Sequence, residues 1–320
     1  MAKAIEQLLS GMIVGHAALG SRGAGIGTVA QQVHDGDTIS VQAVGNFGVR
    51  FLGVDAPEIS FTLPKGKKFV ELGNPAWEKF LTDPFAGEYP PFDPPLTPGL
   101  RKEIKSRVGQ GTAQNHYRLA QSAQKALEKE IQGDLAALGQ SAKEFQFFLA
   151  FASEVMDRYG RLLCYVNRCE PATAPAESRP LTYNERLLCA GWTAPCFIWP
   201  NINPFRRQDS MLKAVFPPGK ANAIAEKEKS LRQARKWVRD AREQGIGIFD
   251  KQDPLRLQAF EVRYLARRRP PDRWVVDLGE SDDVLIQPQK YYTVANWEDR
   301  LFIPEEFVPW FVKAGWKRQK

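Results

Sequence analysis

Val49-Arg50-Phe51-Leu52-Gly53-Val54-Asp55-Ala56-Pro57-Glu58 (VRFLGVDAPE) begins as a strand and ends as a carboxylate-bearing turn. The β-branched and apolar residues through Val54 suit a pleated, partly buried ribbon. Arg50 and Asp55 are five apart, which places them on opposite faces of an ideal strand. Both can serve one site only if the strand ends or coils near Gly53, as the closure of a barrel permits. Pro57 then sets the chain direction ahead of Glu58.

Working outward, Asp35-Gly36-Asp37-Thr38 lies eleven residues before Val49, and Asp157-Arg158-Tyr159-Gly160-Arg161 lies about a hundred residues after it. Strands are predicted over Thr28–Val33, Thr38–Val44 and Val49–Val54, with Gly45–Gly48 as a hairpin turn. Two more are predicted over Glu144–Val155 and Arg161–Val166, joined by a turn at Met156–Gly160. The stretch Gly23–Gly27 (GAGIG) only superficially resembles a phosphate loop, since no strand precedes it and no P-loop lysine follows. Residues Thr62–Gln110, with the run Pro90–Pro95 (PPFDPP), read as an inserted and partly mobile loop. Apolar residues at helical spacing predict a helix over Thr112–Ile131, capped by Thr112; helices are also expected over Leu181–Ala190, with Gly191 as C-cap, and over the strongly charged Ala221–Gln244. Beyond Asp253 the Arg267–Pro271 break introduces strands at Trp274–Leu278 and Asp283–Val294. A closing helix is expected over Ile303–Trp316, with Pro309 poorly placed in its interior.

The motifs carry a coherent chemistry. Hydrolysis of a phosphodiester needs neutralisation of charge on the phosphoryl oxygens, a positioned water and a base. Asp37 and Asp55 offer hard oxygens suited to Ca²⁺. Arg50 and Arg161 offer planar forks that pair bidentately with phosphate, and Glu58 is the candidate base. Singly, each has a plainer role: Asp35 and Asp37 as turn formers, Arg50 as a surface strand residue, Arg161 as the partner of a nearby carboxylate. The site, however, needs all of them together, and all are present.

In this order and spacing the three motifs resemble the staphylococcal nuclease (thermonuclease) family. The resemblance implies an α+β protein built on a five-stranded OB-fold barrel with three helices. It also implies calcium bound by Asp37, Asp55 and the carbonyl of Ala56, with Asp35 as a carboxylate behind the metal. Glu58 then activates water, Arg50 and Arg161 stabilise the transition state, and Tyr159 meets substrate phosphate. Phe197 and Trp199 match a pair of tyrosines lining the nucleotide site, although Phe197 has no hydroxyl to offer. Tyr183–Gly191 resembles the family's second helix, with Asn184 and Glu185 structural, and Leu231–Phe249 resembles its third. Single-stranded DNA and RNA are the expected substrates, cleaved with little base selectivity to 3′-phosphate and 5′-hydroxyl ends. The resemblance spans residues 27–253 apart from the insertion at 62–110. Residues 1–26 form a lead-in, and residues 254–320 a small α+β appendage expected to present a docking or regulatory surface, including to a protein partner.

Composition agrees with a globular chain that has ample core material, at 43% hydrophobic and 25% charged residues over 320, and excludes disorder throughout. A formal charge of +7 favours a polyanionic partner without naming one. Cys164, Cys169, Cys189 and Cys196 match neither a C-x-x-C zinc site nor a disulfide scaffold, so reduced thiols are expected. The apolar stretch Leu8–Leu19 is too short and too polar to span a bilayer. A cytoplasmic protein is expected, secretion being the alternative. His34 and His116 are expected to face solvent or to pack, and a histidine-based zinc nuclease is disfavoured. The rival reading is a catalytically silent nucleic-acid- or protein-binding scaffold on the same fold.

Overall fold

The structure is a computed structural model describing residues 3–8, 10, 12–22, 25–26, 28–33, 38–170 and 179–319. It is α+β, with many small sheets, and among the described residues these do not close into a barrel. The chain divides into two compact units, Met1–Phe51 with Ala150–Cys164, and Leu52–Leu149 with Tyr165–Lys320. Among the described residues no helix is long and apolar enough to cross a membrane.

The first unit is made of short ribbons. Ile5–Gln7 pairs antiparallel with Ile13–Gly15, and Ala17–Leu19 with Val41–Ala43. Val49–Phe51 runs parallel to the start of the strand Leu162–Arg168, aligning Val49 with Leu162 and Arg50 with Leu163. A strand is predicted over Thr28–Val33, but Val29–Gln32 is one helical turn, closed by a reciprocal bond between the Thr28 N–H and the Gln31 side chain. A local capping box has prevailed over β-branched propensity. The turn before Arg161 forms as expected: the Asp157 N–H donates to the Arg161 carbonyl at 2.9 Å, and Gly160 takes φ +78°.

The second unit is organised by a four-stranded sheet in the order Trp274–Asp277, Arg300–Ile303, Ala194–Ile198, Gly53–Asp55. Gly53–Asp55 is antiparallel to Ala194–Ile198, with Asp55 opposite Ala194. Arg300–Ile303 runs parallel to Ala194–Ile198 on its other side. Two of the four strands therefore come from the segment expected to be an appendage. Arg300–Ile303 is buried along its whole length, and such a short apolar run carries no alternation to announce it.

The insertion is folded. Asn74 caps the helix Pro75–Thr82, accepting from the Ala76 N–H at 2.9 Å, and Thr97 caps Pro98–Lys105. In both, proline occupies the first helical turn, where its missing N–H costs nothing, so these prolines start helices where a loop is predicted. Trp77, Phe80, Leu81, Leu100 and Ile104 are fully buried in one cluster with Val262, Leu265, Val275 and Phe302. The insertion and the C-terminal segment thus share a single core.

Other boundaries shift for local reasons. Gly111, not Thr112, caps the helix Thr112–Leu138, and Glu228 breaks the predicted Ala221–Gln244 into Ala221–Lys227 and Lys229–Gln244. Only Val284–Leu285 of the predicted strand Asp283–Val294 is extended, because Pro288 begins a 3-10 turn. Pro309 lies in the first turn of Val308–Lys313 rather than mid-helix, so nothing is kinked.

A test follows from the shared core. Trp77→Ala is expected to lower unfolding stability by about 3–5 kcal/mol in denaturant titrations, the cost of emptying a fully buried aromatic site. A change below about 1 kcal/mol would mark the insertion as a decoration.

Candidate functional site

Gly53 takes φ +76°, a left-handed conformation that interrupts the ribbon between Val49–Phe51 and Gly53–Asp55. The expected break near Gly53 is therefore present. Asp55 ends the edge strand of the four-stranded sheet, and the chain leaves it through Ala56 and Pro57 to Glu58 without regular structure. Asp55 is buried at 3% exposure, while the Glu58 side chain keeps 20%.

Both carboxylates meet one guanidinium. Arg263 Nη1 donates to Asp55 Oδ1 at 3.0 Å and to Glu58 Oε1 at 2.6 Å, and Nη2 donates to Asp55 Oδ2 at 2.7 Å. Burial works against the charged form of Arg263, but Asp55 and Glu58 more than offset it and hold the guanidinium firmly protonated. Arg263 belongs to the helix Ala259–Arg267, which is anchored by a second buried network. Arg107 from the insertion grips Glu261 bidentately at 2.9 and 2.7 Å, and the Tyr291 hydroxyl also donates to Glu261.

Glu58 is fixed through its backbone as well. Its N–H donates to His116 Nε2 at 2.8 Å, and His116 Nδ1 lies 3.1 Å from the Leu257 carbonyl. An acceptor at Nε2 and a carbonyl at Nδ1 require the neutral ring, with its proton on Nδ1. Burial pushes the His116 pKa down to about 4, in keeping with that tautomer. His116 is therefore packed, as one of the two expectations has it, and it also positions the candidate base.

In the first unit, Arg161 is half-exposed. It is ion-paired with Asp157 at 2.7 Å, and its guanidinium lies 5.3 Å from the Tyr159 ring centroid. Arg50 sits in the parallel ribbon whose second strand starts just after Arg161. The structure thus gathers Arg50, Tyr159 and Arg161 in one unit, and Asp55, Ala56 and Glu58 in the other. Asp35, Asp37 and His34 lie outside the described residues.

Phe197 and Trp199 are core residues, not a stacking platform. They are 3% and 0% exposed, and Trp199 packs against Phe307, Trp310 and Phe311 while its indole N–H donates to the Ala214 carbonyl at 2.9 Å. The partners that bury Trp199 come from the C-terminal segment, which the resemblance does not cover. Asn184 is structural as expected: it accepts from the Val166 N–H at 3.0 Å and donates to the Leu52 carbonyl at 2.8 Å. All four cysteines are free thiols.

No family model, no curated protein and no solved structure matches this chain.

The described lining does not by itself make a cation site, because both Asp55 oxygens and one Glu58 oxygen already accept from Arg263. Among the described residues no group of three or more His, Cys, Asp or Glu side chains is placed to hold a metal ion. Asp37, which the resemblance puts beside Asp55, is not among them. Sequence reading missed Arg263 and the bond that His116 accepts from Glu58, since neither residue lies in a motif and these contacts span 208 and 58 residues.

The depressed pKa of His116 has a defined sign. Between about 4 and the ordinary value near 6.5 the unfolded chain binds a proton that the folded chain does not, so stability falls as pH drops through that window. The loss is roughly 3 kcal/mol across it. Urea titrations at pH 7 and pH 4.5 are expected to show this slope in the parent and a flatter one in His116→Gln. Parallel slopes would assign the acid sensitivity elsewhere.

Proposed function

We propose that the protein is a calcium-dependent nuclease hydrolysing single-stranded DNA and RNA with little base specificity, leaving 3′-phosphate and 5′-hydroxyl ends. What supports the reading is the motif set Asp37, Arg50, Asp55, Glu58 and Arg161 in the sequence, with the carboxylates of Asp55 and Glu58 brought together on Arg263. Asp37, Asp55 and the Ala56 carbonyl are the residues that would hold calcium, which would supply positive charge against the phosphoryl oxygens. Glu58 removes a proton from the attacking water, and its backbone bond to neutral His116 holds it in place for that transfer. Arg50 and Arg161 pair with the remaining phosphoryl oxygens as negative charge grows, and Tyr159 contacts the phosphate. The resemblance behind this reading implies a five-stranded OB barrel with three helices. The free thiols agree with a cytoplasmic location.

One observation favours the rival. Arg263 engages both oxygens of Asp55 and one of Glu58, as in a scaffold whose acidic pair serves only to hold the fold. Plasmid and RNA degradation distinguishes the two. The nuclease reading expects cleavage in calcium that a chelator abolishes, reduced about 10²–10⁴-fold by Glu58→Gln and about 10²–10³-fold by Arg161→Ala. Absence of chelator-sensitive cleavage, or full activity in both variants, would leave the scaffold.

A further inference from the structure

The stacking pair expected at Phe197 and Trp199 lies in the core, and the chain just past Glu58 offers another aromatic surface. The strands Ser60–Thr62 and Phe69–Glu71 begin two residues after Glu58 and pair antiparallel, with Thr62 opposite Phe69. Leu63-Pro64-Lys65-Gly66 turns the chain between them. The Gly66 N–H donates to the Leu63 carbonyl at 2.8 Å, and Lys65 takes φ +64° at the third position, as in a type II turn. The base of this hairpin is fixed: the Trp77 indole N–H donates to the Val70 carbonyl at 3.0 Å and the Leu72 N–H to the Ile59 carbonyl at 2.9 Å, while Phe61 and Leu72 belong to the core cluster.

The hairpin shows solvent one aromatic ring among cations. Phe69 is 61% exposed, more than any other phenylalanine among the described residues, and its ring meets Phe61 edge-on at 5.8 Å between centroids. Lys65, Lys67 and Lys68 are exposed, and the one acid of the segment, Glu71, accepts from the Tyr117 hydroxyl at 2.8 Å. Arg267 adds a fourth positive charge, its guanidinium lying 5.1 Å from the Phe61 ring centroid. It follows Arg263 by four residues on the helix Ala259–Arg267, one turn along the same face from the guanidinium that holds Asp55 and Glu58. The patch thus adjoins the acidic pair within the second unit.

Cations around an exposed ring suit a single-stranded nucleic acid, whose phosphates meet the charges while any base can stack on the ring. A lipid surface fits less well, because Phe61 and Leu72 are buried and Leu63 and Val70 pack against the core, which leaves one ring to insert. We propose that the hairpin Ser60–Glu71 is a stacking platform for single-stranded DNA or RNA, with one base on Phe69 and the adjoining phosphates on Lys65, Lys67, Lys68 and Arg267. The inference rests on the nucleic-acid reading above and needs no metal.

Fluorescence anisotropy of a labelled oligothymidylate with the full chain, in excess chelator, tests it. Phe69→Ala is expected to weaken binding about 5- to 150-fold, the range for one stacked base. Phe69→Leu should lose as much, and Phe69→Trp, which keeps a π-face, should bind at least as tightly as the parent. Lys67→Gln with Lys68→Gln is expected to flatten the dependence of log affinity on log salt by about 0.7 per charge removed. Lys125→Gln with Lys129→Gln, exposed lysines of the helix Thr112–Leu138, should leave that slope unchanged.

Parent affinity in Phe69→Ala, an equal change of slope in the Lys125 and Lys129 control, or no binding by the parent overturns the proposal. So does binding to phosphatidylserine vesicles that Phe69→Ala removes while affinity for the oligonucleotide stays. Phe69 is mostly exposed, so its truncation empties no core, and if that variant did not fold the lysine pair reads the same surface. The two readings fail separately. Binding through Phe69 without calcium-dependent cleavage removes the nuclease and keeps the platform. Cleavage by a parent whose Phe69→Ala variant binds equally well does the reverse.

Discussion

A guanidinium enclosed by two carboxylates joins the two ends of the second unit. Taking such charges out of water costs several kcal/mol per ion, so the arrangement persists only where hydrogen-bond geometry returns most of that cost. Arg263 meets the condition with three charge-assisted bonds between 2.6 and 3.0 Å, two of them bidentate on Asp55. The contact joins an edge strand at residues 53–55 to a helix some 200 residues later. Removing Arg263 would take three charge-assisted bonds from the Asp55–Glu58 pair. The position of the candidate site is thus coupled to the folding of the C-terminal segment, and through Arg107 and Glu261 to the insertion as well.

Local order was readable where a short signal suffices. The helices Thr112–Leu138 and Tyr183–Cys189 follow from apolar spacing, and the left-handed φ of +69° at Gly191 follows from glycine's freedom past a helix end. The break at Gly53 was expected only on the condition that Arg50 and Asp55 serve one site. Proline misled in the insertion, because Asn74-Pro75 and Thr97-Pro98 serve as helix starts as readily as turns, and only the buried faces of Trp77 and Leu100 distinguish the two. Arg300–Ile303 escaped because a strand buried on both faces carries no period. Phe197 and Trp199 were assigned to a surface by analogy with chains that lack the Phe307–Phe311 segment now packed on Trp199. Of the site, the carboxylates and arginines were legible as residue types at motif spacing. Arg263 was not, since its role exists only once a distant helix has docked.

Glu58 has two supports, one on its backbone and one on its carboxylate. His116 holds the backbone from inside the core, and it can do so only while neutral, because a protonated ring has no lone pair for the Glu58 N–H. Burial enforces that neutrality. Arg263 holds the carboxylate from the more exposed side, and the formal charges of Asp55, Glu58 and Arg263 together leave one negative charge in excess. A neutral anchor on the backbone and a charged partner on the carboxylate thus fix Glu58 from two separate elements, the helix Thr112–Leu138 through His116 and the helix Ala259–Arg267 through Arg263.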